Sequence, residues 1–591
     1  MERKQIPSEK KWRLEDIYET QEAWDADYKR LEALVESSAE AFEGKLGQKA
    51  VLQAYFDQVR EESLTLQRLY MYAHMRHDED VRVAESGSKL SMILTLASKL
   101  SAKYAFVDPE LTALPEETLQ AYIADPDFSA QEYQLRRVAA SKAHVLSEGE
   151  EKLLALASNV LGGYQDVFMM LDNANLNLPK ATLNGEEVQM SHGLYGAALH
   201  SDNGAERKEW FEKYYEAYVK LIDTITTVYY GNVKKDVFYA QARKYPSCLA
   251  MALDSEDVQP IVYENLLEAV HEAFPALHEY IALRQKLLGF EQHMYDIYAP
   301  LVEDAETKLP FDEAYELMIE GLAPLGKEYE ALLRKAKVEG WIDVYENEGK
   351  RNGAYSTGCY GIHPYVLLNY QETTNDVFTI AHEMGHAIHT YYSSESQPQE
   401  KAQYTIFLAE IASTVNEVLL LKHLYGRTQD KSLKRYLLAY YMDMIRATLF
   451  RQTQFAEFEH RAHAMAEEGQ PLTKDNLCQL YYDLNKAYYG DGIVHDEKIK
   501  YEWARIPHFY NSFYVYKYST GIISAISIVR SILSGEEGAV QRYFAFLRSG
   551  GKTDPVTILQ GAGVDLTTKA PFAAAMQEFK DTLEEFKKLI D

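Results

Sequence analysis

The stretch Ala381-His382-Glu383-Met384-Gly385-His386-Ala387-Ile388-His389 decides how the rest of this chain is read. Two histidines four residues apart on a helix lie one turn above each other, so both imidazoles reach a single metal ion. Glu383 stands about 100° further round the helix, beside that ion without ligating it, where it can act on a water. With His382 set to zero, His386 falls near ~40° and His389 near ~−20°. Val377, Ile380, Ala381, Met384 and Ile388 fall on the opposite face, which anchors the helix in a core. Thr374, Asn375 and Asp376 supply the N-cap and first turn. Gly385 costs about 1 kcal/mol relative to alanine in a helix, and close approach of a second helix is the simplest reason for it. A structural helix with its histidines facing water is the alternative.

Downstream, Ser393–Gln403 reads as a polar loop and a second helix runs from about Thr405 to Tyr425. Leu408, Ile411, Val415, Val418 and Leu419 are its core face, while Glu410, Ser413, Thr414 and Glu417 form a polar stripe. A carboxylate in such a setting is costly unless it binds metal or pairs with charge, so Glu410 is the third ligand. His382, His386 and Glu410 then leave one open position, the arrangement of catalytic zinc. Glu417 reads as a surface carboxylate, with orientation of a ligand imidazole as the alternative. His389 lies about 10 Å along the axis from His382, too far to ligate, and is expected to line the cleft.

Upstream, the extended, glycine-punctuated stretch from Asn352 to Tyr370 predicts a small β-sheet leading into the metal helix. Its strands either pair with an extended peptide by their edge or are purely structural. Residues from about Trp12 to Phe106 read as long amphipathic helices, followed by turns at Pro109, Pro115 and Pro126. Asn184-Gly185 between short extended runs marks a hairpin. Helical periodicity resumes near Ala205 and continues to about Val338, broken around Lys244–Asp257 and Phe290–Phe311. Absence of a fixed-period repeat disfavours a solenoid.

With 61 Lys and Arg against 90 Asp and Glu, the 591-residue chain carries a formal charge of −29, a field that repels nucleic acid and anionic lipid. Cys248, Cys359 and Cys478 form no disulfide framework, which suits a reducing cytoplasm. The N-terminus lacks the apolar core of a signal peptide, and Gly521–Leu533 is the nearest approach to a membrane span. The expected protein is cytoplasmic and uses neither nucleic acid nor membrane.

Near the C-terminus, His508 precedes Tyr510, Tyr514 and Tyr518, whose spacing puts three phenols on one helical face. Such donors stabilise an oxyanion in a dry site; a tyrosine stripe by itself is more often core packing. Tyr516 lies in the same stretch, and which phenol serves stays open.

Together, His382-Glu-Met-Gly-His386-Ala-Ile-His389, Glu410 within Ala-Glu-Ile-Ala-Ser-Thr-Val-Asn-Glu, and Ile-Pro-His508-Phe-Tyr-Asn-Ser-Phe-Tyr resemble oligoendopeptidase F. That is a bacterial branch of the thimet-oligopeptidase-like zinc metallopeptidases, and the opening Trp12-Arg-Leu-Glu-Asp-Ile-Tyr18 resembles it too. The resemblance implies a mainly α, two-lobed helical ellipsoid with a deep substrate channel and a small β-sheet beside the metal helix. It implies an N-terminal helical lobe over residues 1–200 and a catalytic domain over 201–591. It further implies one Zn²⁺ on His382, His386 and Glu410, Glu383 as base, and His508 with the tyrosines contacting substrate. The expected activity is hydrolysis of short unstructured peptides by a monomer or homodimer. Three alternatives differ from it: a dipeptidyl-carboxypeptidase-like exopeptidase, a metal-dependent amidase of non-peptide substrates, and a non-catalytic helical scaffold, which the intact Glu383 disfavours.

Overall fold

The computed structural model describes residues 1–37, 39–302 and 308–590. The fold is mainly α, with 72% of residues helical and two small sheets. The elements that matter here begin with α1 (Lys49–Glu79), α2 (Ala84–Lys103) and α3 (Gly163–Met170). The hairpin β1 (Lys180–Leu183) and β2 (Glu186–Gln189) precedes α4 (Gly204–Ala242) and α5 (Phe274–Leu288). Strands β3 (Ile342–Asp343), β4 (Tyr355–Thr357) and β5 (Tyr365–Leu367) then lead into α6 (Thr374–Ser396) and α7 (Ile406–Arg427). Last come α8 (Lys431–Ile445), α9 (Arg451–Glu467), α10 (Lys474–Tyr489), α11 (Tyr516–Leu533) and α12 (Ala570–Ile590).

Two compact units form, each from three segments of chain. The first takes Met1–Val145, Glu306–His423 and Ile528–Gly563; the second takes Leu146–Ala305, Leu424–Ser527 and Val564–Asp591. Residue 200, the expected boundary between an N-terminal lobe and a catalytic domain, lies inside the second unit's Leu146–Ala305 segment.

In the first unit the N-terminal segment is tied to the sheet that leads into α6. Trp12 packs edge-on against Tyr365 at 6.3 Å, and Tyr365 donates its hydroxyl to the Arg13 carbonyl at 2.9 Å. Arg13 N–H donates to the Gly340 carbonyl at 2.7 Å, and a Cβ at Gly340 (φ +72°) would meet Arg13 Cβ at 2.8 Å. Only glycine fits that approach. Asp343 on β3 is buried and neutralised by Lys350 at 2.7 Å and Arg3 at 2.6 Å, as a charge so far from water must be. β5 is the central strand, parallel to β3 and antiparallel to β4.

Among the described residues one helical stretch, Ala84–Ala113, is long and apolar enough by composition to match a membrane span. This corrects the expectation that Gly521–Leu533 comes nearest. Within it, α2 buries Ile93, Leu96 and Leu100 in the first unit's core.

The second unit is organised on α4, whose Trp210, Phe211, Tyr214, Tyr215, Tyr218 and Tyr229 are all buried. The β1–β2 hairpin turns through Asn184 (φ 53°) and Gly185 (φ 79°), the paired positive dihedrals that an Asn-Gly turn supplies.

Candidate active site

The metal helix α6 is started by a capping box. Thr373 Oγ1 accepts from Asp376 N–H at 3.2 Å, and the Asp376 carboxylate accepts from Thr373 N–H at 2.9 Å. The N-cap is thus Thr373, one residue before those read from the sequence. Val377, Ile380, Ala381, Met384 and Ile388 are buried, which fixes the rotation of the helix and turns His382 and His386 the other way.

A second helix does cross at Gly385. A Cβ there would stand 2.5 Å from Ser413 Cα and 2.6 Å from the Ala412 carbonyl oxygen, both on α7. Asn416, buried one turn on, ties the helices together. Its Nδ2 donates to the Ala381 carbonyl at 3.0 Å, and its Oδ1 accepts from Tyr329 at 2.9 Å. The polar stripe of α7 therefore holds an interhelical clamp that sequence reading passed over, though an Asn amid apolar residues was its visible sign.

That crossing sets the ligand geometry. His382 Nε2 and His386 Nε2 are 3.2 Å apart, and each lies 3.5 Å from Glu410 Oε2. Ligand atoms held ~2.0–2.1 Å from one tetrahedral Zn²⁺ are spaced by about 3.3 Å, and these three separations are close to that value. Together the three residues could hold a metal ion. Burial alone would raise the Glu410 carboxyl, but the two imidazoles hold it well below the usual range.

Glu417 corrects the sequence reading. Its side chain is only 14% exposed, and its Oε1 lies 2.5 Å from His382 Nδ1. The carboxylate accepts the Nδ1 proton, which leaves the Nε2 lone pair facing Glu410 and His386. His389 is a second correction. It is 1% exposed and stacked on Tyr404 at 3.8 Å, so it sits in the core rather than in a cleft. Burial there lowers its pKa to about 3, and it stays neutral. Glu383 is 7% exposed, and burial raises its carboxyl above the ordinary value against the pull of His382 and His386. Proton acceptors suited to neutral pH are tuned in that way.

His508 and the tyrosines belong to the second unit, where they do not form one helical face. Residues 507–510 make a tight turn, Phe513 takes a left-handed φ of 58°, and α11 starts only at Tyr516. The bend brings His508, Tyr514 and Tyr518 together: ring centres are 5.8 Å (His508–Tyr514), 6.0 Å (His508–Tyr518) and 5.5 Å (Tyr514–Tyr518) apart. Tyr510 is excluded. It is buried and stacked on Phe168 of α3 at 4.3 Å, a core residue rather than a donor to a ligand. Tyr516 is buried too, against Tyr263.

Comparison with known proteins places the chain in a family. Residues 197–578 match Peptidase family M3, and residues 110–177 match Oligopeptidase F. The chain is 41% identical over its full length to Oligopeptidase PepF of Bacillus subtilis, covering 88% of that protein. It is 36% identical to Group B oligopeptidase PepB of Streptococcus agalactiae, covering 100% of this chain and 98% of that one. Among solved structures, oligoendopeptidase-F from Enterococcus faecium matches with a TM-score of 0.76 at 32% identity, over 96% of this chain and 99% of that one. A putative peptidase from Chlamydophila abortus matches with a TM-score of 0.92 at 36% identity, over 100% and 99%. With three residues on two clamped helices that could hold a metal ion, and this likeness running end to end, the chain belongs to peptidase family M3, the metalloendopeptidases of oligoendopeptidase F type.

Proposed function

We propose that this metalloendopeptidase uses one zinc ion, held by His382, His386 and Glu410, to hydrolyse short unstructured peptides. The observation that carries the reading is the set of 3.2, 3.5 and 3.5 Å separations among the three ligand atoms, with an unligated carboxylate next in sequence to the first. Zinc bound there supplies Lewis acidity, polarising a carbonyl and lowering the proton affinity of water. Glu383 is the general base: buried beside the ligands, it takes the proton of the attacking water and then hands it to the departing amine nitrogen. Glu417 keeps the His382 ring in one tautomer and one orientation throughout. His508, Tyr514 and Tyr518 are assigned as hydrogen-bond donors to the peptide and to the oxyanion formed at its carbonyl.

Short peptide substrates without nucleic-acid or membrane partners suit a net charge of −29. Three buried free cysteines suit the cytoplasm.

The test is Glu383→Gln. This variant should retain one zinc per chain by metal analysis while losing about 10²- to 10⁴-fold in turnover of a quenched fluorescent peptide. A variant that keeps its metal and its turnover rejects the assigned base. A wild-type enzyme indifferent to chelators rejects zinc hydrolysis altogether.

A further inference from the structure

The bend at Phe513 is held at several points by its neighbours in the second unit. Ser512 Oγ donates to Asp236 Oδ2 of α4 at 2.6 Å. Asn232, one turn earlier on α4, donates its Nδ2 to the Phe509 carbonyl at 3.3 Å, and its Oδ1 accepts from Lys235 at 2.8 Å. The Phe513 ring is buried 4.7 Å from the His463 ring of α9 and shares an apolar cluster with Ala240 and Cys248. Beyond the bend, the Lys517 ammonium lies 5.2 Å over the Tyr514 ring and is paired with Glu256. A left-handed conformation is costly for a bulky residue and persists only where its surroundings impose it.

A buried ion pair backs this bend. His463, 1% exposed, faces Asp236 Oδ2 with its Nε2 at 3.3 Å and the Glu459 carbonyl with its Nδ1 at 2.8 Å. Both ring nitrogens thus meet acceptors, which is what an imidazolium requires. Burial alone would lower the His463 pKa, but Asp236 holds it above the ordinary histidine value. Burial would likewise raise the Asp236 carboxyl, and His463 holds it below its ordinary value. A buried ion pair is weak evidence of stability, since apolar packing often does as well; its attested use is to fix one geometry. Here the geometry separates the phenols. Tyr510 goes into the core against Phe168, while His508 comes within 5.8 Å of Tyr514.

We propose that Asp236, through its bond to Ser512 and with His463 as its counter-ion, is a positioning residue for peptide hydrolysis. It holds the Phe513 bend, and with it His508 and Tyr514, in the arrangement that donates to the oxyanion. This rests on the reading that assigns His508 and the tyrosines to the peptide. Asp236 acts through the turn and touches no reacting atom. Its loss is therefore felt where the donors act, in turnover, and not in the binding of an uncleaved peptide.

The mildest probe is Ser512→Ala, which removes the hydroxyl that reaches Asp236 and leaves the Asp236–His463 pair in place. Its kcat on a quenched fluorescent peptide should fall about 10- to 100-fold, as for a group displaced by ~1 Å, with KM and zinc content nearly unchanged. Affinity for a phosphinic peptide, whose tetrahedral anion stands in for the oxyanion, should fall by a similar factor. The uncleaved peptide should bind zinc-loaded Glu383→Gln enzyme equally well with and without Ser512→Ala. Equal weakening of both ligands marks a general loosening and overturns the proposal. Coupling checks the route: with His508→Ala and Tyr514→Phe already in place, Ser512→Ala should cost almost nothing further. The full loss in that background would mean that the bond acts elsewhere, and the proposal falls. Wild-type kcat in Ser512→Ala, where His508→Ala with Tyr514→Phe cripples the enzyme, rejects the positioning role alone. Wild-type kcat in His508→Ala with Tyr514→Phe rejects the donor reading and the proposal with it.

Discussion

Glu417 accepts the Nδ1 proton of His382 at 2.5 Å, across two helices that touch at Gly385. A ligand imidazole held in this way presents its other nitrogen as a lone pair at a fixed angle. Glu417→Ala should therefore lower zinc affinity about 10- to 100-fold, read by competition with a chromogenic chelator. Glu410→Ala, which removes a ligand outright, should leave no stoichiometric zinc after dialysis. Unchanged affinity in the Glu417 variant would show that packing alone orients the ring.

Gly385→Ala tests the helix crossing. A methyl at 2.5 Å from Ser413 Cα cannot be placed without separating α6 from α7. Overpacking of this kind costs ~1–3 kcal/mol, while alanine returns about 1 kcal/mol of helix propensity. Stability of the metal-free protein should fall only slightly. Zinc affinity should fall by more than tenfold, because His382 and His386 ride on one helix and Glu410 on the other. A variant with lower melting temperature but intact metal affinity would mean that the ligands tolerate the shift.

The sequence carried the histidine-bearing helix to within a residue at its start, because a 3.6-residue period and an i, i+4 histidine pair are local facts, but it ended the helix too early, since residues up to Ser396 are helical. Gly385 as a crossing point was legible for the same reason: glycine in a helix interior has few other uses. Glu417 was misjudged because its role depends on the rotation of α7 against α6, which Asn416 and Gly385 fix from outside its own helix. His389 was misplaced for a like reason, since Tyr404 and Phe546, its ring partners, come from elsewhere in the chain. The tyrosine stripe failed at one residue. Phe513 adopts a left-handed conformation that costs a bulky side chain energy, and nothing in the local spacing announces it.

That bend separates the phenols by position. Tyr510 carries a buried hydroxyl with no hydrogen-bond partner among the described residues, so Tyr510→Phe should leave stability and turnover nearly unchanged. Tyr514 and Tyr518 share the His508 cluster, and removing the hydroxyl that serves the oxyanion should cost about 10²- to 10³-fold in kcat. Steady-state kinetics of the three phenylalanine variants decide the matter. Loss of turnover in Tyr510→Phe alone would reverse the assignment.

Glu459 of α9 offers a pH test away from the metal. It is 1% exposed, among His463 and Asp236 and near Lys517, and burial pushes its carboxyl up to about 8. In the unfolded chain it titrates near the ordinary glutamate value of ~4.3. Between those two values the folded protein holds a proton that the unfolded chain has released, so this group makes stability fall as pH rises, by at most ~1.4 kcal/mol for each unit. Glu459→Gln removes that slope while keeping the shape of the side chain. His463 is coupled to Glu459, its own pKa raised by Asp236 and Glu459 against burial, so the difference between the two proteins reports the pair rather than Glu459 alone. Melting temperatures of wild type and variant, both zinc-loaded, should therefore diverge in the variant's favour from pH 5 to pH 8. An offset that stays constant across that range would mean Glu459 is already ionised in the folded protein at pH 5.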